Sequence, residues 1–408
     1  MERHFALRRR VAGLGERRQQ PQIALATVWL SVFAMFALRL RSFNALEEDL
    51  RRRRRGWARW VGSARLPSAD TVGRVLAGAS LADQRAVVLG LGQQAWRAKS
   101  IHGRPGETYR VVAIDGHELW ASRARCCAEC LIREVTVGAA KVQEYYHRVV
   151  VAQWVGVMPP ALVDVERIRP GEGEVVAARR LVTRILGSAG RLIDVITVDA
   201  LYLEAPFIET VLAAGKHVVV VMKQEARDLY QDAARLRALQ PPHVLADGPR
   251  TTRLWDLPDL ESFATLQRRV RVVWAEEQTA RPRRVGGRTR EVVETGEWVW
   301  VTDLPPVAVS ASKIQQWGHD RWDVENRGFN ELATLWHMDH CFVHEPTAIE
   351  AVLLALSAAF LLTYLFYERN LKPHEHRPCT RLALAARLRE DFALLIRTPL
   401  WPEVHRSD

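Results

Sequence analysis

The stretch Val111-Val-Ala-Ile-Asp-Gly116 has a counterpart later in the chain, Val195-Ile-Thr-Val-Asp-Ala200. Both are short apolar runs rich in β-branched residues, which predict buried strands. Each run places an aspartate, Asp115 or Asp199, just past the predicted strand end. Functional groups of α/β proteins concentrate at the carboxyl ends of strands, although an aspartate in this position more often forms a turn or caps a helix.

Apolar runs and segments of helical periodicity alternate around these two stretches. Strands are predicted at 109–114, 145–153, 160–165, 192–198 and 217–222, and helices at 173–186 and 204–214. Alternation of strands and helices is typical of an α/β core. The predicted fold class is therefore α/β.

The composition changes three times along the chain, which predicts four regions. Residues 1–105 are expected to form a helical, basic region, and residues 106–225 the first part of the α/β core. Residues 226–297 are expected to form a β-rich insertion, and residues 298–408 to complete the core and add C-terminal helices. Two apolar runs, 23–38 and 351–367, fall short of about 18–20 clean apolar residues. They are predicted to be buried helices and not membrane spans.

The chain is basic, with 58 Lys and Arg against 47 Asp and Glu and a net charge of +11. A polyanion is therefore the first partner to consider. The densest basic run consists of Arg51, Arg52, Arg53, Arg54 and Arg55. This run is either a solvated face or a surface that neutralises phosphates, with the nearby rings of Trp57 and Trp60 packing against nucleic acid.

The five cysteines exclude a disulfide-stapled secreted scaffold, and the N-terminus has no recognisable signal peptide, so a cytoplasmic location is expected. Cys127 and Cys130 have half of a zinc-ribbon spacing, and His147 could supply a third ligand after folding. Ordinary thiols are favoured over a zinc site, because no second cysteine pair follows. A later group is predicted to pack at a helix end; its members are His337, His340, Cys341 and His344.

A third acid of interest lies in the predicted helix Arg321-Trp-Asp-Val-Glu-Asn-Arg-Gly-Phe-Asn-Glu-Leu332. The apolar residues at 322, 329, 332 and 336 form a stripe, and Glu325 falls within it. A glutamate that faces the core must be paired, protonated or bound to a cation. Arg321, four residues earlier, is the simplest partner.

Together, Asp115, Asp199 and Glu325 indicate a metal site. Carboxylates suit Mg²⁺, and two such ions about 3.5–4 Å apart can activate an attacking oxygen and stabilise a leaving one. Beside a basic surface, this chemistry indicates phosphodiester bonds of nucleic acid as the substrate.

These motifs resemble the DDE transposases of bacterial insertion sequences. The matching segments are Val111-Val-Ala-Ile-Asp-Gly116 with Ser122, Thr197-Val-Asp-Ala-Leu-Tyr202, Val220-Val-Met-Lys-Gln224, Trp298–Thr302, the Arg321-Trp-x-x-Glu-Asn326 helix, and Trp336–His344 with Pro346-Thr-Ala-Ile349. The resemblance spans most of the chain, and the Arg-Trp-x-x-Glu-Asn helix is its most specific element.

The resemblance implies a ribonuclease-H-like core with a β-rich insertion between the second Asp and the Glu. It implies that Asp115, Asp199 and Glu325 are the catalytic, metal-binding acids, and that Arg321 and Lys223 contact DNA phosphates. The expected cofactor is Mg²⁺ or Mn²⁺, as two ions, with no nucleotide or organic cofactor. The expected partner is double-stranded DNA, both element ends and target, on which two subunits assemble as a homodimer.

Two positions depart from the family pattern. Gly318 occupies the usual place of a tyrosine, and Leu332 and Ala333 stand where a lysine is usual, which removes an expected phosphate contact. Two alternative functions therefore stay open. One is a catalytically decayed DNA-binding descendant, and the other is a stand-alone metal-dependent DNA nuclease.

Overall fold

The computed structural model describes residues 2–15, 18–223, 225, 227–285, 288–371 and 380–394. The N-terminal region is helical, with α1 (Glu2–Phe5), α2 (Leu7–Ala12), α3 (Leu25–Ala37), α4 (Phe43–Arg52), α5 (Arg54–Val61), α6 (Ala69–Ala77) and α7 (Leu81–Arg97). Ser42, Ser68 and Ser80 precede α4, α6 and α7, and each hydroxyl accepts a backbone N–H three residues later. These serine caps explain where the three helices begin.

Strands dominate the middle of the chain. They are β1 (His102–Gly103), β2 (Val111–Ser122), β3 (Leu131–Val137), β4 (Ala140–Trp154), β5 (Val157–Met158), β6 (Ala161–Arg167), β7 (Val195–Val198), β8 (His217–Val221), β9 (His243–Asp247), β10 (Arg250–Leu260), β11 (Val270–Val285) and β12 (Arg288–Thr302). The helices among and after them are α8 (Glu174–Ala189), α9 (Ala205–Ala213), α10 (Asp228–Ala238), α11 (Ala311–Asp320), α12 (Asn330–Trp336), α13 (Pro346–Asn370) and α14 (Arg381–Leu394).

One mixed sheet of ten strands organises the fold, and the predicted α/β class is confirmed. Its order is β3-β4-β2-β7-β8-β12-β11-β10-β9, and β6 pairs with the second half of β4. β2, β7 and β8 run parallel to one another, whereas the other pairs in the sheet are antiparallel. Every residue from Ala161 to Glu166 of β6 is buried, and α7, α8 and α13 pack against this strand.

The sequence predicted that the first strand ends just before Asp115, but this strand, β2, is longer. β2 continues through Asp115 to Ser122, because its antiparallel partner β4 accompanies it as far as Tyr145. The parallel partner β7 is shorter, and its last pairing is Thr197 opposite Ala113. Asp115 therefore lies within a strand, at the point where that strand loses one of its two neighbours.

The β-rich segment continues the central sheet. Trp300–Thr302 of β12 pairs with Val219–Val221 of β8, so β9 to β12 extend the sheet beyond its parallel strands. The segment 281–290 belongs to the β11–β12 hairpin, and its residues 286 and 287 lie outside the described residues. Trp274 and Trp300 are 2% and 1% exposed, so both rings pack in the core.

The two long apolar runs form buried helices, α3 and α13, which pack against each other. In the described part of the chain, one helix, Pro346–Arg369, has the length and apolarity of a membrane span. Its most apolar window is 94% buried within the structure. Burial of this extent is what a core helix shows, and α13 also packs on α6, α7 and β6.

Candidate active site

Asp115 and Asp199 lie on neighbouring parallel strands at the same edge of the sheet. Ala113 of β2 is opposite Thr197 of β7, and both aspartates lie two residues further along. Alternate residues of extended chain point to the same face, and Asp199 keeps an extended backbone. Asp199 also caps the short 3₁₀ turn that follows, since its Oδ1 accepts the N–H of Leu201 at 2.9 Å. The capping role expected of such an aspartate is therefore present as well.

Arg321 joins the acid of β2 to the acid of the C-terminal helix. Its Nη1 donates to Asp115 Oδ2 at 3.1 Å and to Glu325 Oε1 at 3.4 Å. Glu325 lies in a π-helical segment, Val324–Phe329, between α11 and α12. Such segments occur frequently at functional sites. The side chain of Arg321 is 5% exposed and that of Glu325 is 39% exposed, so the arginine lies beneath and the glutamate faces outward.

The electrostatic environment of Asp115 favours a bound cation. Burial, the largest effect, raises the pKa of Asp115 to about 6 against the opposing charge of Arg321, and the negative charges of Asp199 and Glu174 contribute to this rise. The N–H of Gly116 donates to Asp115 Oδ1 at 2.9 Å, which favours the ionised form. Negative charge at this edge is thus only partly compensated by the protein, and a divalent cation would favour ionisation of the carboxyl.

Glu174 is a fourth acid beside Asp115 that the sequence did not single out. It begins α8, and its side chain is 8% exposed. Its Oε1 accepts the Tyr202 hydroxyl at 2.8 Å, and its Oε2 accepts Arg148 Nη2 at 2.5 Å. The carboxylate fills the space that a side chain at position 116 would occupy, which explains Gly116. Sequence analysis predicts only a helix start here, because nothing local links residue 174 to residue 115.

Lys223 lies at the same edge as the acids but at its surface. β8 pairs in parallel with β7, with Val220 opposite Val198. Lys223 follows two residues after the end of β8 and is exposed. Because parallel strands end at the same side of a sheet, its ammonium group is available to a polyanion that approaches Asp199.

The two departures from the family pattern have structural reasons. A Cβ at position 318 would overlap the indole ring of Trp300, so no side chain fits at this position unless the ring moves. Leu332 is 1% exposed and packs in the hydrophobic core. Ala333 is half-buried. A lysine at 332 would replace a buried apolar side chain, whereas position 333 is partly exposed.

The arginine run spans the junction of α4 and α5, and its members differ in exposure. Arg51 and Arg52 are exposed and form ion pairs with Glu47 and Asp49, and Arg54 and Arg55 are exposed as well. Arg53 points inward: its side chain is 17% exposed, lies 3.5 Å from Asp49 and donates to the carbonyl of Arg389.

The adjacent tryptophans pack within the protein. Trp57 is fully buried, and its Nε1 donates to Asp49 Oδ2 at 2.8 Å. Trp60 is half-buried, stacks on Phe33 and donates to the carbonyl of Leu30. The ring of Trp57 cannot reach nucleic acid, because no part of it is at the surface. Trp57 therefore serves the fold, whereas Arg51, Arg52, Arg54 and Arg55 face solvent.

Comparison with known families agrees with this arrangement. Residues 170–362 match the family model of a transposase DDE domain. The matched segment contains Asp199, Arg321 and Glu325, whereas Asp115 precedes it. The match confirms the resemblance of the chain to DDE-type transposases. Among curated proteins, no match to the chain was found.

Proposed function

We propose that the protein is a metal-dependent DNA transposase, which cleaves DNA at the ends of an insertion sequence and transfers the strands to target DNA. One arrangement carries this proposal: Arg321 joins Asp115 to Glu325 at the sheet edge where β7 leads into Asp199. Three acids distant in sequence therefore belong to one region of the molecule. The family match over residues 170–362, which includes two of them, supports the assignment.

A ribonuclease-H-like core is part of the proposal. The order of the strands supports it, because β6, β4 and β2 form an antiparallel set and β7 and β8 continue it in parallel with β2. In this description the helical region covers residues 1–105 and the core begins at residue 106. The β-rich insertion would be residues 226–297, and residues 298–408 would complete the core.

The residues present fit Mg²⁺ or Mn²⁺, because carboxylate oxygens are the ligands that such hard cations prefer. Asp115, Asp199 and Glu325 would hold two ions, whose charge would favour both the attacking and the leaving oxygen of a phosphodiester reaction. Arg321 fixes the side chains of Asp115 and Glu325, and Lys223 at the same edge would contact DNA phosphate. No nucleotide or organic cofactor is needed.

The proposed chemistry has two steps. First, the oxygen of water bonds to phosphorus and the bond to the 3′ oxygen breaks, which leaves a 3′-OH and a 5′-phosphate. The oxygen of this 3′-OH then bonds to a phosphorus of target DNA or of the opposite strand, the bond from that phosphorus to its own 3′ oxygen breaks, and the proton passes to the 3′ oxygen that leaves, which frees a new 3′-OH. We further propose that two subunits assemble on the DNA, since two element ends must be joined, and that the protein acts in the cytoplasm.

Replacement of Asp199 by Asn tests the function. We expect Asp199→Asn to bind element ends and remain folded but to lose Mg²⁺- and Mn²⁺-dependent cleavage, because a neutral amide is a poor ligand for a hard cation. The matched control is Asp228→Asn, an exposed residue at the start of α10, which should cleave like the wild type. Strand cleavage, end-binding and thermal midpoint are measured together. Wild-type cleavage by folded Asp199→Asn would contradict the proposal.

A catalytically decayed descendant is the second candidate, and two observations favour it. The guanidinium of Arg321 already contacts two of the three acids, and neither Leu332 nor Ala333 supplies the lysine that is usual after the glutamate. A decayed protein would bind element ends without cleaving them in either metal. A stand-alone nuclease would instead cleave DNA with and without element ends equally well.

A further inference from the structure

A second group of metal-binding side chains lies at one end of the β2–β4 pair. Cys127 and Cys130 come from the connection between β2 and β3, His147 from β4, and His344 from the connection before α13. The two Sγ atoms are 3.6 Å apart, and each lies 3.4 Å from His147 Nε2. His344 Nδ1 is 3.9 Å from Cys130 Sγ. One donor atom from each residue falls within 4.8 Å of the others.

We propose that these four residues bind one structural Zn²⁺. Tetrahedral zinc, with bonds of about 2.3 Å to sulfur and about 2.0–2.1 Å to nitrogen, places two sulfurs about 3.8 Å apart and a sulfur and a nitrogen about 3.6 Å apart. The separations of 3.6 Å between the sulfurs and 3.4 Å from sulfur to His147 are close to these values. The four side chains are therefore already arranged around a space of the size that zinc fills.

The donor set selects zinc over the hard cations of the carboxylate site. Two thiolates and two imidazoles are soft and borderline ligands, which suit Zn²⁺ and not Mg²⁺. Binding deprotonates both thiols and releases two protons, so two thiolates balance the charge of the ion. A neutral complex suits this location, because Cys130 is 4% exposed and His147 is fully buried. Four protein ligands also leave no open position for a substrate, which is typical of a structural site.

Neighbouring groups hold the ligands in place. The ring of Trp120 contacts both imidazoles, with centroid distances of 5.1 Å to His147 and 4.4 Å to His344. The N–H of Cys127 donates to Cys130 Sγ at 3.3 Å, a contact that stabilises a thiolate. Outer contacts of this kind orient metal ligands.

The zinc would connect two parts of the chain that are far apart in sequence. His344 lies 214 residues after Cys130 and directly precedes Glu345, the N-cap of α13. The site therefore fastens the connection between α12 and α13 to the β2–β4 pair. This role is independent of the proposed function, because the zinc would be needed for the fold of a transposase, a nuclease or a decayed descendant alike.

Metal analysis of the full chain tests the proposal. We expect about one zinc per chain in protein purified without chelator, and, after replacement by Co²⁺, the visible absorption of a tetrahedral ion with thiolate ligands. Cys127→Ser and His344→Ala should lose the metal. The matched controls, Cys126→Ser and Cys341→Ser, remove neighbouring cysteines outside the group of four and should retain it.

Two further variants keep the test independent of folding defects and of the acids. His344→Cys should retain zinc, because three cysteines and one histidine also form structural sites, and Asp199→Asn should retain it because it alters only the carboxylate site. Folded wild-type protein without zinc, or with a Cys127–Cys130 disulfide under reducing conditions, would overturn the proposal. So would equal loss of zinc from Cys126→Ser and Cys127→Ser.

Discussion

Gly318 leaves room on α11 for the indole ring of Trp300. Trp300 is 1% exposed and stacks on Trp298 with a centroid distance of 6.3 Å, and His319 packs edge-on against both rings. An aromatic side chain on the helix would compete for the same space. Trp300 of β12 therefore provides the aromatic ring at this contact, and Gly318 of α11 leaves the space for it.

Gly318→Ala should destabilise the protein by about 1–3 kcal/mol, because its methyl group would force the buried ring of Trp300 to move. Adding Trp300→Ala, which removes the indole Nε1 and Cε2 nearest to position 318, should cost less in the Gly318→Ala background than in the wild type. Urea unfolding of both single variants and the double variant measures the coupling. Purely additive losses would show that the two residues do not share this space.

Glu277 links α11 to β11 through its carboxylate. His319 Nε2 lies 2.7 Å from Glu277 Oε1, and the side chains of Arg250 and Gln315 also donate to this group. Burial alone would raise the pKa of Glu277, but the hydrogen bonds from His319, Arg250 and Gln315 outweigh it and lower the pKa to about 2. The folded protein therefore stabilises the ionised form of the Glu277 carboxyl more than the unfolded chain does.

The contribution of Glu277 to stability should disappear at low pH. Because its folded pKa is below the unfolded value of about 4.5, the stabilisation is present above pH 4.5 and is lost as the pH falls toward 2. Glu277→Gln should lower the unfolding free energy by on the order of 2–3 kcal/mol at pH 7, and the difference should shrink at pH 3. The control Glu294→Gln, in an exposed pair with Arg281, should change it by less than about 1 kcal/mol. A pH-independent difference would contradict this account.

At the scale of elements, the sequence predicts the parallel strands well because their apolar runs are buried on both faces. The runs that became β7 and β8 end where predicted to within one residue. The predicted end of β2 is wrong, because pairing with the antiparallel strand β4 extends β2 past Asp115. The length of a strand depends on its pairing with strands that are distant in sequence, and the local composition carries no information about that pairing.

The residues of the candidate site could also be predicted only in part from the sequence. Asp115, Asp199, Arg321 and Glu325 belong to recognisable motifs, whereas Glu174 and His344 join their groups only through folding. The predicted helix stripe also differs, because the π-helical segment buries Val324 and Gly328 and leaves Glu325 half-exposed. A π-helical turn contains one more residue than an α-helical turn, so a stripe counted with the α-helical period assigns the following residues to the wrong face.

Leu332→Lys, which introduces a lysine at one of the two positions where the resembled family usually has one, should destabilise the protein by about 2–4 kcal/mol, because it removes a buried apolar side chain and places an ammonium group in the core. The neighbouring change Ala333→Lys is the matched control and should cost much less, since Ala333 is only half-buried. Thermal and urea unfolding compare the two. Equal stability of both variants would show that position 332 can turn outward.

At the scale of the whole molecule, the net charge of +11 is distributed so that some arginines serve the fold and others face solvent. Arg321 is buried at the acids, and Arg53 connects α4 to the C-terminal helix α14. Arg51, Arg52, Arg54 and Arg55 are exposed at one junction of helices. This exposed set concentrates positive charge at one place on the surface, outside the acids.

Replacing the exposed set, as Arg51→Gln, Arg52→Gln, Arg54→Gln and Arg55→Gln together, should weaken the binding of element ends and flatten its salt dependence. Each lost phosphate contact lowers the log–log slope by about 0.9, so the slope should fall by up to about 3.6 if all four contact DNA. Arg53→Gln is the matched control: it should keep the slope and lower the thermal midpoint, since it loses its contacts with Asp49 and Arg389. Binding is measured over a series of salt concentrations. An unchanged slope in the fourfold variant would place this surface away from the DNA.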